Sequence, residues 1–296
     1  MDNHKLGFRV LGYFVLIFGL SLVVNAFFGI GPNWLMRQIE ASPNARVFVG
    51  NTFSYSGRSI AIILISGWAL RRVLKIDPWK AMFGSNHTKW WKQLLFGTCL
   101  SIGIMTLIFW VEIRIGWLEV NSWQWQILPT VEYLRTVWLA ILVNLTVAIS
   151  EEIIFRGFLL TGLEKAWGKT VSLGIMALFF SAIHLGVLEA NETNTILFII
   201  LLSVPGLILG WIYFQTRSLW IPIGIHFAWN FMQDEFYNLP GKGAANLIGA
   251  ITSQNGPSWI VGTNYGIEVG LLGVVAMVLI GVIVRWVMRI RSVSNV

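Results

Sequence analysis

Three charged residues stand close together in an otherwise apolar stretch, ISEEIIFRGFLL, at residues 149–160. They are Glu151, Glu152 and Arg156. A charged side chain in the middle of a bilayer costs on the order of 2.5–3.5 kcal/mol, so three in one apolar stretch need partners or water. Glu152 and Arg156 are four residues apart, which places them on one helix face where they can pair. Glu151 lies about 100° further round the helix, so we expect it to face something else.

Other polar side chains lie in apolar stretches where they can meet Glu151. Two of the four histidines, His184 and His226, are within apolar runs. Asn230 follows His226 by four residues, so these two residues share a helix face. Phe180 precedes His184 by four residues and shares its face in the same way. With a rise of about 1.5 Å per residue, the depths of these groups allow them to meet near the middle of the membrane.

A carboxylate, two imidazoles and an amide in one low-dielectric site favour hydrolytic chemistry. A carboxylate beside an imidazole can take a proton from water. A second imidazole and an amide NH₂ can donate hydrogen bonds to a developing oxyanion. The same atoms can also hold a divalent metal ion, such as zinc, whose bound water attacks the substrate. The chain has no HExxH sequence, so the common helical zinc signature is missing.

Each of these residues also has a purely structural interpretation. A single intramembrane His or Asn most often forms a hydrogen bond between helices. The pair of Glu152 and Arg156 alone can serve as a latch within the bundle. The combination of these residue types, on separate helices, favours a functional site over a set of isolated structural contacts.

The composition indicates an integral membrane protein. Of the 296 residues, 56% are hydrophobic and only 12% are charged, and the mean hydropathy is +0.70. A soluble protein typically carries about 25% charged residues. The single cysteine, Cys99, cannot form an intrachain disulfide and gives no zinc-finger pattern. We interpret the net charge of +7 as a result of membrane topology, and we predict no nucleic-acid partner.

The apolar runs predict an all-α, polytopic transmembrane helix bundle that forms one integral membrane domain over residues 1–296. Basic residues are concentrated in the connections on the side of both termini, which predicts that both termini are cytoplasmic. The polar motifs fall in a core of about residues 136–236, and the segment 237–264 is predicted to be a solvated linker, with a lid as the alternative. About eight spans are predicted, near residues 9–30, 51–72, 93–112, 136–163, 170–189, 194–215, 219–236 and 265–286.

The polar motifs resemble those of a known family. Residues 151–156 (EEIIFR) resemble the EExxxR motif of the CPBP intramembrane protease family, which is also called the Abi family. Residues 180–184 (FSAIH) resemble its FxxxH motif, and residues 226–230 (HFAWN) resemble its HxxxN motif. The three motifs occur in the order of the family. The family groups type II CAAX prenyl endopeptidases with bacteriocin-processing and bacteriocin-immunity proteins.

The resemblance implies a membrane-embedded peptidase site in an eight-helix bundle. By this resemblance Glu151 activates water, His184 is its partner, and His226 and Asn230 stabilise the oxyanion. Family members are catalogued as metallopeptidases, yet a metal-free glutamate mechanism has also been argued for them. The candidates for binding a metal ion such as zinc are Glu151, His184 and His226, and the supporting residues are Glu152, Arg156 and Phe180.

These observations predict an intramembrane endopeptidase that acts on a peptide or a membrane-protein substrate within the lipid bilayer. A prenylated tail is one candidate substrate where prenylation exists. We favour a bacterial plasma-membrane protein, whose substrates are peptides, leader sequences or membrane-protein segments. Two other classes stay open: a non-catalytic immunity or binding protein and, less favoured, a proton-coupled transporter. The sequence does not indicate the oligomeric state.

Overall fold

The computed structural model describes residues 3–38, 42–84, 89–187, 195–239, 248–263 and 266–293. Most of these residues are helical. The helices are α1 (Asn3–Met36), α2 (Pro43–Ala69), α3 (Pro78–Phe83), α4 (Trp90–Arg114), α5 (Thr130–Glu152), α6 (Thr161–Trp167), α7 (Lys169–Ile183), α8 (Thr195–Thr216), α9 (Trp220–Asn230), α10 (Ser258–Val261) and α11 (Leu271–Val293). Wider π-helical segments follow α2, α5 and α9, at Leu70–Leu74, Ile153–Leu160 and Phe231–Phe236. Two strands complete the fold, β1 (Leu118–Trp123) and β2 (Ala250–Gln254).

Five segments of the described chain are long and apolar enough to cross a membrane. They are Asn3–Met36, Trp90–Arg114, Thr130–Ile183, Thr195–Thr216 and Leu271–Ile290. The predicted bundle of membrane-spanning helices is confirmed in this respect. The predicted spans near 51–72 and 219–236 fall on α2 and α9, which are not among these five segments. The count of eight spans and the cytoplasmic position of both termini therefore stay predictions.

The longest of these segments, Thr130–Ile183, is a helical hairpin. As one straight helix its 54 residues would measure about 81 Å, far more than the roughly 30 Å of a hydrocarbon core. The chain turns at Gly168, whose φ of 80° lies in the left-handed region that glycine adopts readily. Helix α7 then packs back against α6 and against the π-helical segment. The predicted spans 136–163 and 170–189 lie on the two arms of this hairpin.

The π-helical segment Ile153–Leu160 is buried on every side. All eight of its residues are buried, and six of them are apolar. A helical segment that is apolar all round belongs in the interior, where neighbouring elements cover each of its faces. Here α1, α2 and α7 surround it. This position brings Arg156 into the centre of the bundle.

Helices α4 and α9 pack with their backbones close together through two glycines. A Cβ atom on Gly97 of α4 would lie 2.5 Å from the carbonyl oxygen of Ile221 in α9. A Cβ atom on Gly224 of α9 would overlap the carbonyl oxygen of Leu94 in α4. Small residues of this kind let membrane helices approach closely. The contact also fixes the position of α9, which carries the HxxxN motif.

We expect Gly97→Ala to destabilise the bundle, because the added methyl group meets backbone that cannot rotate away. Gly103→Ala on the same helix is the matched control, since a Cβ atom at Gly103 meets nothing within 4 Å. Both changes raise helix propensity by a similar amount, so their difference reports packing alone. Overpacking of this kind costs about 1–3 kcal/mol. Thermal unfolding in detergent should show a lower midpoint for Gly97→Ala than for Gly103→Ala; equal midpoints would contradict the close packing.

Strands β1 and β2 form a two-stranded antiparallel sheet, in which Trp123 lies opposite Ala250. The sheet joins the connection between α4 and α5 to the connection that precedes α10. The predicted all-α class did not include this sheet. It also corrects the interpretation of residues 237–264 as a solvated linker, because β2 lies in this segment and Ala250 is fully buried. Residues 240–247 and 264 of that segment lie outside the described residues.

Candidate active site

Glu152 is the centre of a buried polar cluster. It is the last residue of α5, and its side chain is 0% exposed. Arg156 donates a hydrogen bond from Nη1 to Glu152 Oε1 at 2.8 Å. His226, from α9, donates from Nδ1 to the same oxygen at 2.9 Å. The expected pairing within the helix is therefore present, and a histidine from a distant part of the chain joins it.

Arg156 is fully buried and is held by three different groups. Besides Glu152, its Nη2 atom donates to the carbonyl oxygen of Gly206 in α8 at 3.4 Å. Its guanidinium carbon lies 4.7 Å from the ring centroid of Phe180, a cation–π contact. The Phe180 ring also lies beside the His184 ring, with centroids 4.9 Å apart. Phe180 therefore connects the buried arginine to the histidine on its own helix face.

Glu151 faces a different direction from Glu152. Its side chain is 23% exposed and lines a cavity. His184 Nε2 lies 3.9 Å from Glu151 Oε1, and His226 Nε2 lies 3.9 Å from Glu151 Oε2. These separations are longer than a direct hydrogen bond, and a bridging water can fill such a gap. Each oxygen of the carboxylate thus has one imidazole nitrogen on its side of the cavity.

The hydrogen-bond acceptors beside Nδ1 of His184 and of His226 show that this nitrogen carries a hydrogen in both rings. His184 Nδ1 lies 2.6 Å from the carbonyl oxygen of Phe180, which can only accept a hydrogen bond, so Nδ1 carries the hydrogen. His226 Nδ1 carries a hydrogen for the same reason, since Glu152 Oε1 accepts it. In both rings Nε2 is the atom that faces Glu151. Each ring is oriented by an acceptor behind it, an arrangement that fixes the tautomer of a functional histidine.

The cavity beside Glu151 has a volume of about 90 Å³. A single water needs roughly 10–15 Å³ of such space, so the cavity has room for several waters. Asn230 lines it one turn beyond His226 on α9. The structure therefore brings Glu151, His184, His226, Asn230 and Phe180 to one cavity, and Glu152 and Arg156 lie behind them. The catalytic and supporting roles of these residues stay predictions.

Residues 133–232 match the sequence model of the family described as Rce1-like, type II CAAX prenyl endopeptidase Rce1-like. This match confirms the resemblance of residues 133–232 to the suspected protease family. The Rce1-like region, residues 133–232, covers about a third of the chain and contains all three motifs. No curated protein and no solved structure matches the chain. The Rce1-like match and the five apolar segments together indicate a multi-pass membrane protein.

The Rce1-like region does not contain every polar residue of the cavity. Gln233, Asp234 and Glu268 also line it, and sequence reasoning missed all three. Gln233 Nε2 donates to Asp234 Oδ1 at 2.9 Å, and Gln233 Oε1 accepts from the Ile267 backbone N–H at 3.1 Å. The spacing of four residues from His226 to Asn230 continues to Asp234, so the sequence could have indicated that Asp234 shares their helix face. Glu268 comes from a distant turn and had no local signal.

The predicted metal set does not fit a zinc ion as the side chains are placed. Within the described ranges, no group of three or more His, Cys, Asp or Glu side chains could hold a metal ion. Zinc lies about 2.0–2.2 Å from each nitrogen and oxygen ligand, so neighbouring ligands of a tetrahedral site are roughly 3.4 Å apart. The Glu151 oxygens are 3.9 Å from both Nε2 atoms. We therefore derive no chemical step through a metal ion.

Proposed function

We propose that this protein is an intramembrane endopeptidase in which Glu151 activates water. The observation that supports this most is the position of the Glu151 carboxylate. It lines a cavity with room for water, and each of its oxygens lies 3.9 Å from one histidine Nε2 atom. A carboxylate within reach of a water and of two oriented imidazoles has the parts of a general base. The Rce1-like region supports the assignment to peptide hydrolysis.

In the proposed reaction, a water beside Glu151 gives its proton to the carboxylate as it attacks the carbonyl carbon of the peptide bond. His184 orients this water, because its ring is held by the Phe180 carbonyl group. Glu151 then passes the proton to the leaving nitrogen as the carbon–nitrogen bond breaks. The products are a carboxyl group and an amine, so the proton count balances.

The oxyanion is proposed to form between His226 and Asn230. His226 lies between the carboxylates of Glu151 and Glu152, and in the proposed transition state both of its ring nitrogens carry a hydrogen. The protonated ring donates from Nδ1 to Glu152 and from Nε2 to the oxyanion. Asn230 lines the same cavity and supplies an amide N–H. Donors placed where negative charge develops stabilise the transition state.

The proposed substrate is a peptide or a membrane-protein segment within the bilayer. A prenylated tail is included where prenylation exists, since the matched family is described as a CAAX prenyl endopeptidase. For a bacterial plasma membrane, which we favour, the substrates are peptides and leader sequences.

Proteolysis by the detergent-purified protein tests this function. Wild type and Glu151→Gln are incubated with a library of fluorogenic peptides and membrane-bound tails. We expect cleavage by wild type and none by Glu151→Gln. Absence of cleavage by both, together with protection of cells against a pore-forming peptide, would support the immunity class instead. Proton-linked uptake of a tracer into proteoliposomes would support the transporter class.

A chelator arm of the same assay tests the metal-free mechanism. Because the proposed reaction assigns every step to side chains and none to a metal ion, we expect the cleavage rate to change less than about twofold after treatment with a strong chelator and dialysis. Loss of cleavage that returns on addition of zinc, and not of magnesium, would show that the site closes around a metal ion.

A further inference from the structure

A second cavity meets the candidate active site from the opposite side of Glu151. Its volume is about 300 Å³, and it lies between α1, α2, α5 and α7. It shares Val147, Glu151 and His184 with the first cavity. The carboxylate of Glu151 therefore stands at the junction of two cavities. We call the second one the Arg58 cavity, after the cationic residue that lines it.

Arg58 is an arginine near the middle of α2, about 22 Å from the start of that helix. Its Nη2 atom donates to the carbonyl oxygen of Asn25 in α1 at 3.2 Å, and its guanidinium carbon lies 5.5 Å from the centroid of the Tyr55 ring. Arg58 Nε is buried and has no hydrogen-bond partner among the described residues. No carboxylate in the described part of the chain forms a salt bridge with Arg58.

A guanidinium group carries five N–H donors. The hydrogen bond to Asn25 uses one of them, and Arg58 lines the cavity. An ionisable side chain within a membrane domain is expensive, so its position calls for a partner or a function. A structural tie between α1 and α2 needs only the bond to Asn25 and leaves the remaining donors unexplained.

We propose that Arg58 binds a carboxylate of the substrate peptide and thereby determines specificity. The proposal rests on the proposed function. Arginine presents parallel N–H groups that match the two oxygens of a carboxylate. A peptide bond placed at Glu151 has chain on both sides, so part of the substrate reaches into the Arg58 cavity. Three acidic residues line the first cavity, Glu151, Asp234 and Glu268, whereas Glu151 and a guanidinium group line the Arg58 cavity, so the Arg58 cavity is the better place for a substrate carboxylate.

Matched peptides test this proposal. A peptide cleaved by wild type is prepared with a free C-terminus, with a C-terminal amide, and with each Glu or Asp replaced by its amide in turn. We expect one of these changes to lower kcat/KM for wild type by at least about 10-fold, because a charge-assisted hydrogen bond is lost. Which change has this effect tells whether the carboxylate is terminal or on a side chain.

The same peptides are then given to Arg58→Gln, Arg58→Lys and Arg114→Gln. Arg58→Gln should bring the ratio of kcat/KM between the acidic and neutral peptides to about 1. The main cause should be a higher KM for the acidic peptide. Arg58→Lys should keep part of the preference, since it keeps the charge. Arg114→Gln, at the exposed end of α4, should keep all of it. A merely structural role for Arg58 would lower both rates and leave their ratio unchanged.

Failure of the proposal can be told apart from failure of the proposed function. If wild type cleaves and the ratio is the same in Arg58→Gln, the proposal is overturned and the protease stands. If wild type cleaves nothing, the affinity of the Glu151→Gln protein for acidic and amidated peptides is measured instead. A preference for the acidic peptide that is lost on adding Arg58→Gln supports the carboxylate site. Equal affinities for both peptides overturn it. If Arg58→Gln loses a co-purified anionic phospholipid but keeps the peptide ratio, the cavity is a lipid site and the proposal is wrong.

Discussion

Glu151→Gln should lower kcat by at least about 100-fold while the protein stays folded. General base catalysis typically contributes about 10²–10⁴-fold, and an amide cannot take the proton of water. The change keeps the size and shape of the side chain. The Glu151 oxygens are 3.9 Å from the nearest histidine nitrogens and line a cavity, so no short hydrogen bond is lost. The measurement is single-turnover cleavage beside a thermal unfolding curve of the same preparation.

The matched control is Glu132→Gln in the first turn of the same helix. Glu132 is partly exposed and pairs with Arg135 at 2.7 Å, away from the cavity. This change should leave kcat within about twofold, because exposed ion pairs contribute little. A folded Glu151→Gln protein that cleaves at the wild-type rate would remove Glu151 from the role of the base.

Arg156→Ala should destabilise the protein by about 3–5 kcal/mol, the effect of stranding one partner of a buried ion pair. Both side chains of the pair with Glu152 are 0% exposed. The change also removes the hydrogen bond to Gly206 and the cation–π contact with Phe180. Because Glu152 Oε1 then loses one of its two donors, His226 is held less firmly and cleavage should fall as well. The measurement is the free energy of unfolding in detergent.

A double variant separates the charge effect from lost packing. Glu152→Gln combined with Arg156→Ala removes both charges, so the double variant should be more stable than Arg156→Ala alone. The control is the exposed pair of Arg217 and Glu164, which has short contacts of 2.6 and 2.7 Å but is not buried. Arg217→Ala should cost less than about 1 kcal/mol. An Arg156→Ala protein that unfolds like wild type would show that the pair is not a latch.

The pairing of Glu152 with Arg156 could be predicted from the sequence because it is local. Two residues four apart on a helix are neighbours whatever surrounds the helix. The same geometry separates Glu151 from Glu152: Glu152 pairs with Arg156 and Glu151 lies beside His184, while His226 lies between the two carboxylates. The motif residues also indicated a resemblance to a protease family, and the match over residues 133–232 supports it.

The bond from His226 to Glu152 could not be predicted in this way. It joins residues 74 positions apart, and it depends on how α9 packs against α5. The sequence interpretation placed His226 at the oxyanion or at a metal ion, and not beside Glu152. The cavity position of Glu268 depends on packing for the same reason. The small sheet was missed because its strands are short and lie in connections between helices, where no apolar run marks them.

The bond between Glu152 and Arg156 also bears on how the chain enters the membrane during synthesis. Both residues emerge from the ribosome within one turn of each other, so they can neutralise one another before helices α7 to α9 are synthesised. His226 follows Glu152 by 74 positions, which is roughly 4–15 s of translation at about 5–20 residues per second. During that interval the helix that carries the motif already holds its own counter-charge. A buried arginine four residues after the glutamate therefore lets a charged segment insert early, and the second histidine completes the cluster after insertion.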